Sequence, residues 1–331
     1  MRYTVLLLSL LVCSCCQAQH KPMPVIFDSD MGPDYDDVGA IAILHAFADS
    51  GRANILATIA STKYDGVAGV FSVLNTYFGK PEIPIAVPKE KAVEQRDWQH
   101  WTDTLLATYP HQIKSNNDVP DAVALYRKIL ASQPDKSVTI ITVGFFTNLA
   151  NLLQSTPDTY SRLNGMRLVQ KKVKAVISMA GKFPFGKEFN IYKDVPAAKY
   201  VFENWPTRII CSGFEIGEKI KTGLPLIHNN AIQNSPVKDV FRIAIPLDKQ
   251  DSAGRMSWDE TAVLAAFSKV GSYYKLQYGK MVVADDGSNT FVSGKGMHAY
   301  LVPVADAQAV QLRLNELMQH QPVRKNKNMG F

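Results

Sequence analysis

The feature that most constrains this chain is a repeated exchange between short, continuously apolar runs and stretches with helical spacing. Pro24-Val25-Ile26-Phe27 reads as a buried strand. Asp36 to Asp49 then reads as a helix, with Val38, Ile41, Leu44 and Phe47 on one face and Gly51 as its stop. The same grammar predicts strands over 55–60, 83–87, 137–143, 173–179 and 207–211, and helices over 67–78, 121–132, 147–154, 196–203 and 258–268. Further strands are expected around 281–283 and 299–302. Strands that are apolar on both faces belong in the middle of a layer stack. The expected fold is therefore α/β: one domain, with a mostly parallel central sheet and helices on both faces, Rossmann-like in outline. Residues 89–119 are polar and aromatic without a clear period, and are expected to form a flap or insertion.

Residues 1–18 stand apart. Arg2 precedes the apolar run from Val5 to Val12, which is too short to span a bilayer and has the shape of a secretory leader. Val12-Cys13-Ser14-Cys15 would suit lipoprotein processing at Cys15, and Cys16-Gln17-Ala18 would suit an ordinary cleavage that leaves residues 19–331 as the domain. Either route predicts an exported protein, periplasmic or lipid-anchored at the cell envelope. Both leave Cys211 as the cysteine of the folded domain, so no disulfide framework is expected. The net charge of +6 is scattered, apart from short lysine runs, and no basic stripe interleaved with aromatics marks a nucleic-acid track.

The segment Phe27-Asp28-Ser29-Asp30-Met31-Gly32-Pro33-Asp34-Tyr35-Asp36-Asp37 sets five carboxylates within ten residues, between a buried strand and a helix. The carboxyl end of a strand is where open α/β sheets bind ligands. Carboxylates this close repel one another unless a cation compensates, and an all-oxygen set suits Ca²⁺ or Mg²⁺ better than zinc. Helix capping would account for two of the five, leaving Asp28 and Asp30 at the strand end without a role. A rival reading is a haloacid-dehalogenase-like phosphatase, with Asp28 as phosphoryl acceptor and Val283-Ala284-Asp285-Asp286 as a later acidic motif.

The run from Asp28 to Ile41 resembles the opening signature of the inosine–uridine-preferring nucleoside hydrolase family, in a variant with two extra residues before Asp36-Asp37. Three more segments resemble that family, in order: Val143-Gly144-Phe145-Phe146-Thr147-Asn148, then Met179-Ala180-Gly181 with Lys187-Glu188-Phe189-Asn190 and Asp194-Val195-Pro196-Ala197-Ala198, then Ser257-Trp258-Asp259-Glu260-Thr261-Ala262. The resemblance implies a nucleoside-hydrolase fold and Ca²⁺-dependent hydrolysis of the N-glycosidic bond of ribonucleosides. It implies Ca²⁺ held by Asp30, Asp37, Asp259 and the main-chain carbonyl of Val143, with Asp30 as general base towards a water. Glu188, Asn190 and Asp36 would contact ribose. A small ribonucleoside or related riboside is the implied partner, and a homo-oligomer is expected.

The sequence also departs from the family pattern. Trp258 stands where a histidine would help the nucleobase leave, and an indole is no acid at neutral pH. Lys182 stands where a ribose-contacting asparagine is expected. Both are retained as substrate-facing candidates, with Trp258 as a stacking surface. Tyr64, Trp98, His100, Trp101 and His111 are further candidates for stacking or proton donation. The competing reading is a non-catalytic exported protein that keeps the calcium site and binds a sugar or nucleoside.

Overall fold

The computed structural model describes residues 21–323. The leader expected at 1–18, with its cysteines, therefore lies outside the described residues. The strands are β1 Met23–Ser29, β2 Ala53–Ala60, β3 Ile85–Ala86, β4 Val138–Thr142, β5 Val173–Met179 and β6 Phe185–Lys187. They continue as β7 Arg208–Ser212, β8 Lys221–Thr222, β9 Arg255–Met256, β10 Tyr274–Val283, β11 Ser288–Ser293 and β12 His298–Pro303. The first helices are α1 Asp36–Asp49, α2 Val67–Tyr77, α3 Trp101–Thr108, α4 Ala122–Ser132, α5 Thr147–Gln154 and α6 Gly165–Lys172. Next come α7 Phe189–Lys193, α8 Val195–Asn204, α9 Phe214–Gly217 and α10 Leu224–His228. The last are α11 Pro236–Ala244, α12 Trp258–Phe267 and α13 Ala307–Met318.

The main sheet runs in the order β3-β2-β1-β4-β5-β7-β12-β10-β11-β6, and the stretch from β3 to β12 is parallel throughout. An antiparallel extension of β10, β11 and β6 completes the far edge. Alternation along a strand feeds two cores: Val25 and Phe27 of β1 join one, Ile26 the other. The mostly parallel sheet with two covered faces is thus the architecture expected from the apolar runs.

The stretch 89–119 is more anchored than a flap. It carries α3, whose Trp101 is fully buried and which packs against α2 and α11. Asp97 starts that helix by accepting the Thr102 amide at 2.9 Å. The helix has only two turns and two buried large apolar residues, Trp101 and Leu105, too few to impose a period on the sequence.

Candidate active site

β1 and β4 are neighbours in the sheet, yet the chain leaves β1 towards β2 on the other side. That divergence opens a crevice at their carboxyl ends, where an open α/β sheet binds ligands. A cavity of ≈ 270 Å³ lies there, reached by Asp30 just past β1, Val143 just past β4 and Met179 at the end of β5.

Its floor is acidic because two helices start at the same place. α1 and α12 lie side by side. Asp36 and Asp37 open the first, and Asp259 is the second residue of the other. One oxygen from each of Asp36, Asp37 and Asp259 lies within 4.8 Å of the others. The Ser29 hydroxyl donates to Asp37. Burial pushes the Asp30 carboxyl well above its usual range, and the neighbouring Asp37 charge pushes it further. Burial and then the Asp36 charge lift Asp37 to about 8. Asp259 rises well above its usual range for the same reasons, with burial leading and Asp36, Asp37 and Asp30 following. Ionising all of these together requires a positive partner inside the cavity. A hard divalent cation fits that requirement, since every side-chain donor here is a carboxylate oxygen. Val143 lines the same cavity; its carbonyl accepts from Asn190 Nδ2 at 3.1 Å and has a second lone pair.

Asp36 plays a different part. Its Oδ1 accepts from Arg255 Nε at 3.2 Å and NH2 at 3.0 Å, and its Oδ2 accepts the amides of Trp258 at 3.1 Å and Asp259 at 3.2 Å. Asp36 therefore caps α12 and holds its first residues against α1. Although it lines the cavity, both its oxygens are engaged within the protein. Asp34 also faces the cavity and lies 2.7 Å from Arg255 NH2. Arg255 went unnoticed in the sequence, where an arginine three residues before Trp258 carries no motif.

The walls come from the segment after β6. Glu188 is buried rather than a solvated loop charge: its side chain caps α7 through the amides of Asn190 and Ile191 and also accepts the Gly181 amide at 3.1 Å. Burial lifts its carboxyl to about 7. Asn190 is fixed by donating to the carbonyls of Val143 and Met179, each at 3.1 Å. Phe189, Tyr192, Phe214 and Trp258 make the cavity wall aromatic, with Lys187 beside them. Among these, Phe189, Tyr192, Phe214 and Lys187 were not picked out as site residues from the sequence. Phe189 lay between two that were.

Several expected contributors sit elsewhere. Lys182 does not line the cavity; its ammonium lies 4.9 Å over the Phe214 ring, and its stem lies across Gly186. Trp258 does line it, but its indole N–H donates to the Phe214 carbonyl at 2.9 Å, and its ring stacks on Phe214 at 5.1 Å. Tyr64, Trp98, His100, Trp101 and His111 are all absent from the lining. Tyr64 and Trp101 belong to the core, and His100 pairs with Asp103 outside. No histidine lines the cavity among the described residues.

The phosphatase reading fails on geometry. Asp28 is fully buried beneath the cavity and accepts from Tyr126 at 2.8 Å and Asn148 at 3.0 Å, so it faces no phosphoryl group. Asp285 and Asp286 sit in an exposed turn, paired with Lys199 and Lys187.

Known proteins agree with this outline. The family model described as inosine-uridine preferring nucleoside hydrolase matches residues 25–312. A pyrimidine-specific ribonucleoside hydrolase of Citrobacter koseri is 27% identical over 214 residues, covering 60% of this chain and 62% of that protein. The inosine-uridine preferring nucleoside hydrolase of Leishmania major is 26% identical over 200 residues, 57% of this chain and 60% of its own length. The chain thus spans about three fifths of these relatives. Among solved structures, a plant nucleoside hydrolase superposes with a TM-score of 0.68 at 21% identity, covering 90% of this chain and 99% of its own. The inosine-uridine preferring nucleoside hydrolase of Bacillus anthracis gives 0.66 at 15% identity, covering 90% and 99%. At those identities the structural likeness speaks for the fold. The family match over residues 25–312 carries the assignment, and this chain belongs to the inosine-uridine preferring nucleoside hydrolase family.

Proposed function

We propose that this protein is an exported, Ca²⁺-dependent hydrolase that cleaves the N-glycosidic bond of ribonucleosides to ribose and free base. The observation that carries the reading is the floor of the cavity. Asp30, Asp37 and Asp259 are buried together there without a basic partner in the described residues, beneath an aromatic wall sized for a small ligand. Asp30, Asp37, Asp259 and the Val143 carbonyl would hold the cation. When bound, it supplies Lewis-acid polarisation of a water and an anchor for hydroxyl groups.

The chain's own residues account for the remaining chemistry. Asp30 takes one proton of the attacking water as its oxygen bonds C1′ and the C1′–N bond breaks; the base leaves with that electron pair as an anion and is protonated from solvent. Positive charge then develops on the ribosyl ring, and the surrounding carboxylates stabilise it. Glu188 and Asn190 are locked in place by backbone contacts, which suits them to orient ribose hydroxyls. The aromatic wall of Phe189, Tyr192 and Phe214 suits a flat base. The basic, apolar start of the chain supports export to the cell envelope.

The test incubates the purified chain with inosine, uridine, guanosine, adenosine and nicotinamide riboside, and scores ribose release with and without EDTA. Chelator-sensitive release from at least one substrate is expected. No release at high enzyme concentration overturns the reading. Calorimetric binding of ribose or nucleoside without turnover would then support the sugar-binding alternative. One observation favours that alternative: among the described residues no histidine lines the cavity, and Trp258 has its N–H engaged with Phe214.

A further inference from the structure

We propose that Arg255 is an internal counter-cation that divides the carboxylates of the cavity floor, tying Asp34 and Asp36 to itself and leaving Asp30, Asp37 and Asp259 for the divalent cation. The inference rests on the cation reading of the site given above.

Distance alone would enlist Asp36, because its oxygen lies within 4.8 Å of those of Asp37 and Asp259. Hydrogen-bond accounting removes it. Asp36 receives four donors, two from Arg255 and two from the start of α12, which is about the full acceptor capacity of a carboxylate. Asp34 is drawn to the same guanidinium at 2.7 Å. Asp30, Asp37 and Asp259 have no salt bridge among the described residues, while Arg255 also lies 3.6 Å from Asp251. The guanidinium has little freedom to swing away: it is buried, 4.9 Å over the Tyr35 ring and 5.1 Å over the Trp258 ring. Tyr35 is pinned in turn through its hydroxyl, which donates to Asp251 at 2.5 Å. An arginine carries its charge at every physiological pH.

The consequence is a smaller negative charge around the ion. Three carboxylates rather than five remain to face a divalent cation, and cation affinity is tuned by the number of charged ligands. Replacing Arg255 with a neutral side chain frees Asp36 within reach of the same ion. The extra negative charge then favours a trivalent ion over a divalent one.

The experiment measures Ca²⁺ and Tb³⁺ affinities of the full chain by calorimetry and terbium luminescence, with folding checked by circular dichroism. In R255M the preference for Tb³⁺ over Ca²⁺ rises by about tenfold or more, in line with one added carboxylate at short range. R255K, which keeps the charge, retains the wild-type ratio. The double variant D36N/R255M removes both charges and returns the ratio towards wild type. An unshifted ratio in folded R255M overturns the role of Arg255. So does a double variant that loses Ca²⁺ binding as completely as D37N, since Asp36 would then itself be a ligand. If R255M does not fold, R255Q, which removes the charge but keeps a side-chain amide to donate to Asp36, takes its place and is read by the same criteria. A wild-type chain that binds neither ion overturns the cation reading itself, a separate failure from an unshifted ratio.

Discussion

The amide of Asp259 donates to Asp36 Oδ2 across 3.2 Å, joining stretches of chain 223 residues apart. This contact sets the start of α12 against the start of α1, and so brings Asp259 to Asp37. Removing a carboxylate from the floor should disturb it in a way that depends on its role. Asp37→Asn is expected to weaken Ca²⁺ binding by about 100-fold or more, since a ligand charge is lost. Asp30→Asn loses a ligand charge as well, and at saturating Ca²⁺ it should still lower kcat by about a thousandfold, a loss in keeping with general acid–base catalysis. Steady-state kinetics at saturating Ca²⁺ and calorimetry on both variants check this, and an equal kcat for the two variants at saturating Ca²⁺ would remove the separate role of Asp30.

Gly144 sits where β4 hands over to the cavity. A Cβ there would press into the Asp30 amide nitrogen and the Ser61 hydroxyl, and would stand 2.8 Å from Asp30 Cβ. Gly144→Ala should therefore cost about 1–3 kcal/mol in stability and lower kcat by at least about tenfold by displacing Asp30. Thermal melts and ribose release on the purified variant report the two effects. A fully active variant with an unchanged melting temperature would contradict the close approach.

Trp258 is held by its stack on Phe214 and by its N–H bond to the Phe214 carbonyl. Trp258→Phe keeps an aromatic ring and loses the donor, so the expected cost is about 1 kcal/mol of stability. The pH–rate profile should keep its shape. A kcat loss of about 100-fold or more would mean that the indole N–H acts on the departing base.

His45 lies buried in α1, 3.2 Å from Asn75 and stacked on Phe78 at 4.4 Å. Burial holds its imidazole down at about 3, against an ordinary value of 6.5. Between those values the unfolded chain binds the extra proton, so this group removes stability as pH falls from 6.5 towards 3 and none above 6.5. His45→Gln keeps a partner for Asn75 and does not titrate. The stability gap between wild type and variant should shrink by roughly 2 kcal/mol on going from about pH 7 to about pH 4.5. Urea melts at the two pH values measure it, and a constant gap would show that His45 is not a neutral buried group.

Local pattern made much of this molecule legible. α1, α5 and β5 have the bounds that periodicity predicts, because each combines a clear apolar pattern with a recognisable start or stop. α11 and α13 were not read, although Ser235 caps the first and Asp306 the second. Their caps are visible and their buried residues fall at helical spacing, Val237, Val240, Phe241 and Ala244 in the first and Val310, Leu314, Leu317 and Met318 in the second, so both were legible in the sequence. β6 was missed because three residues carry no alternation; it is a strand only by pairing with β11.

The carboxylates followed the same division. By itself, the sequence determined that Asp28, Asp30, Asp34, Asp36 and Asp37 would crowd the end of a buried strand, since strand and helix periods set their place. Only the tertiary structure decided what each one faces. Asp28 met Tyr126 and Asn148 below the cavity, Asp34 and Asp36 met Arg255, and Asp30 and Asp37 were left facing Asp259. The physical reason is that a carboxylate's role depends on which donors reach it. Those donors come from parts of the chain that periodicity near residue 30 cannot see.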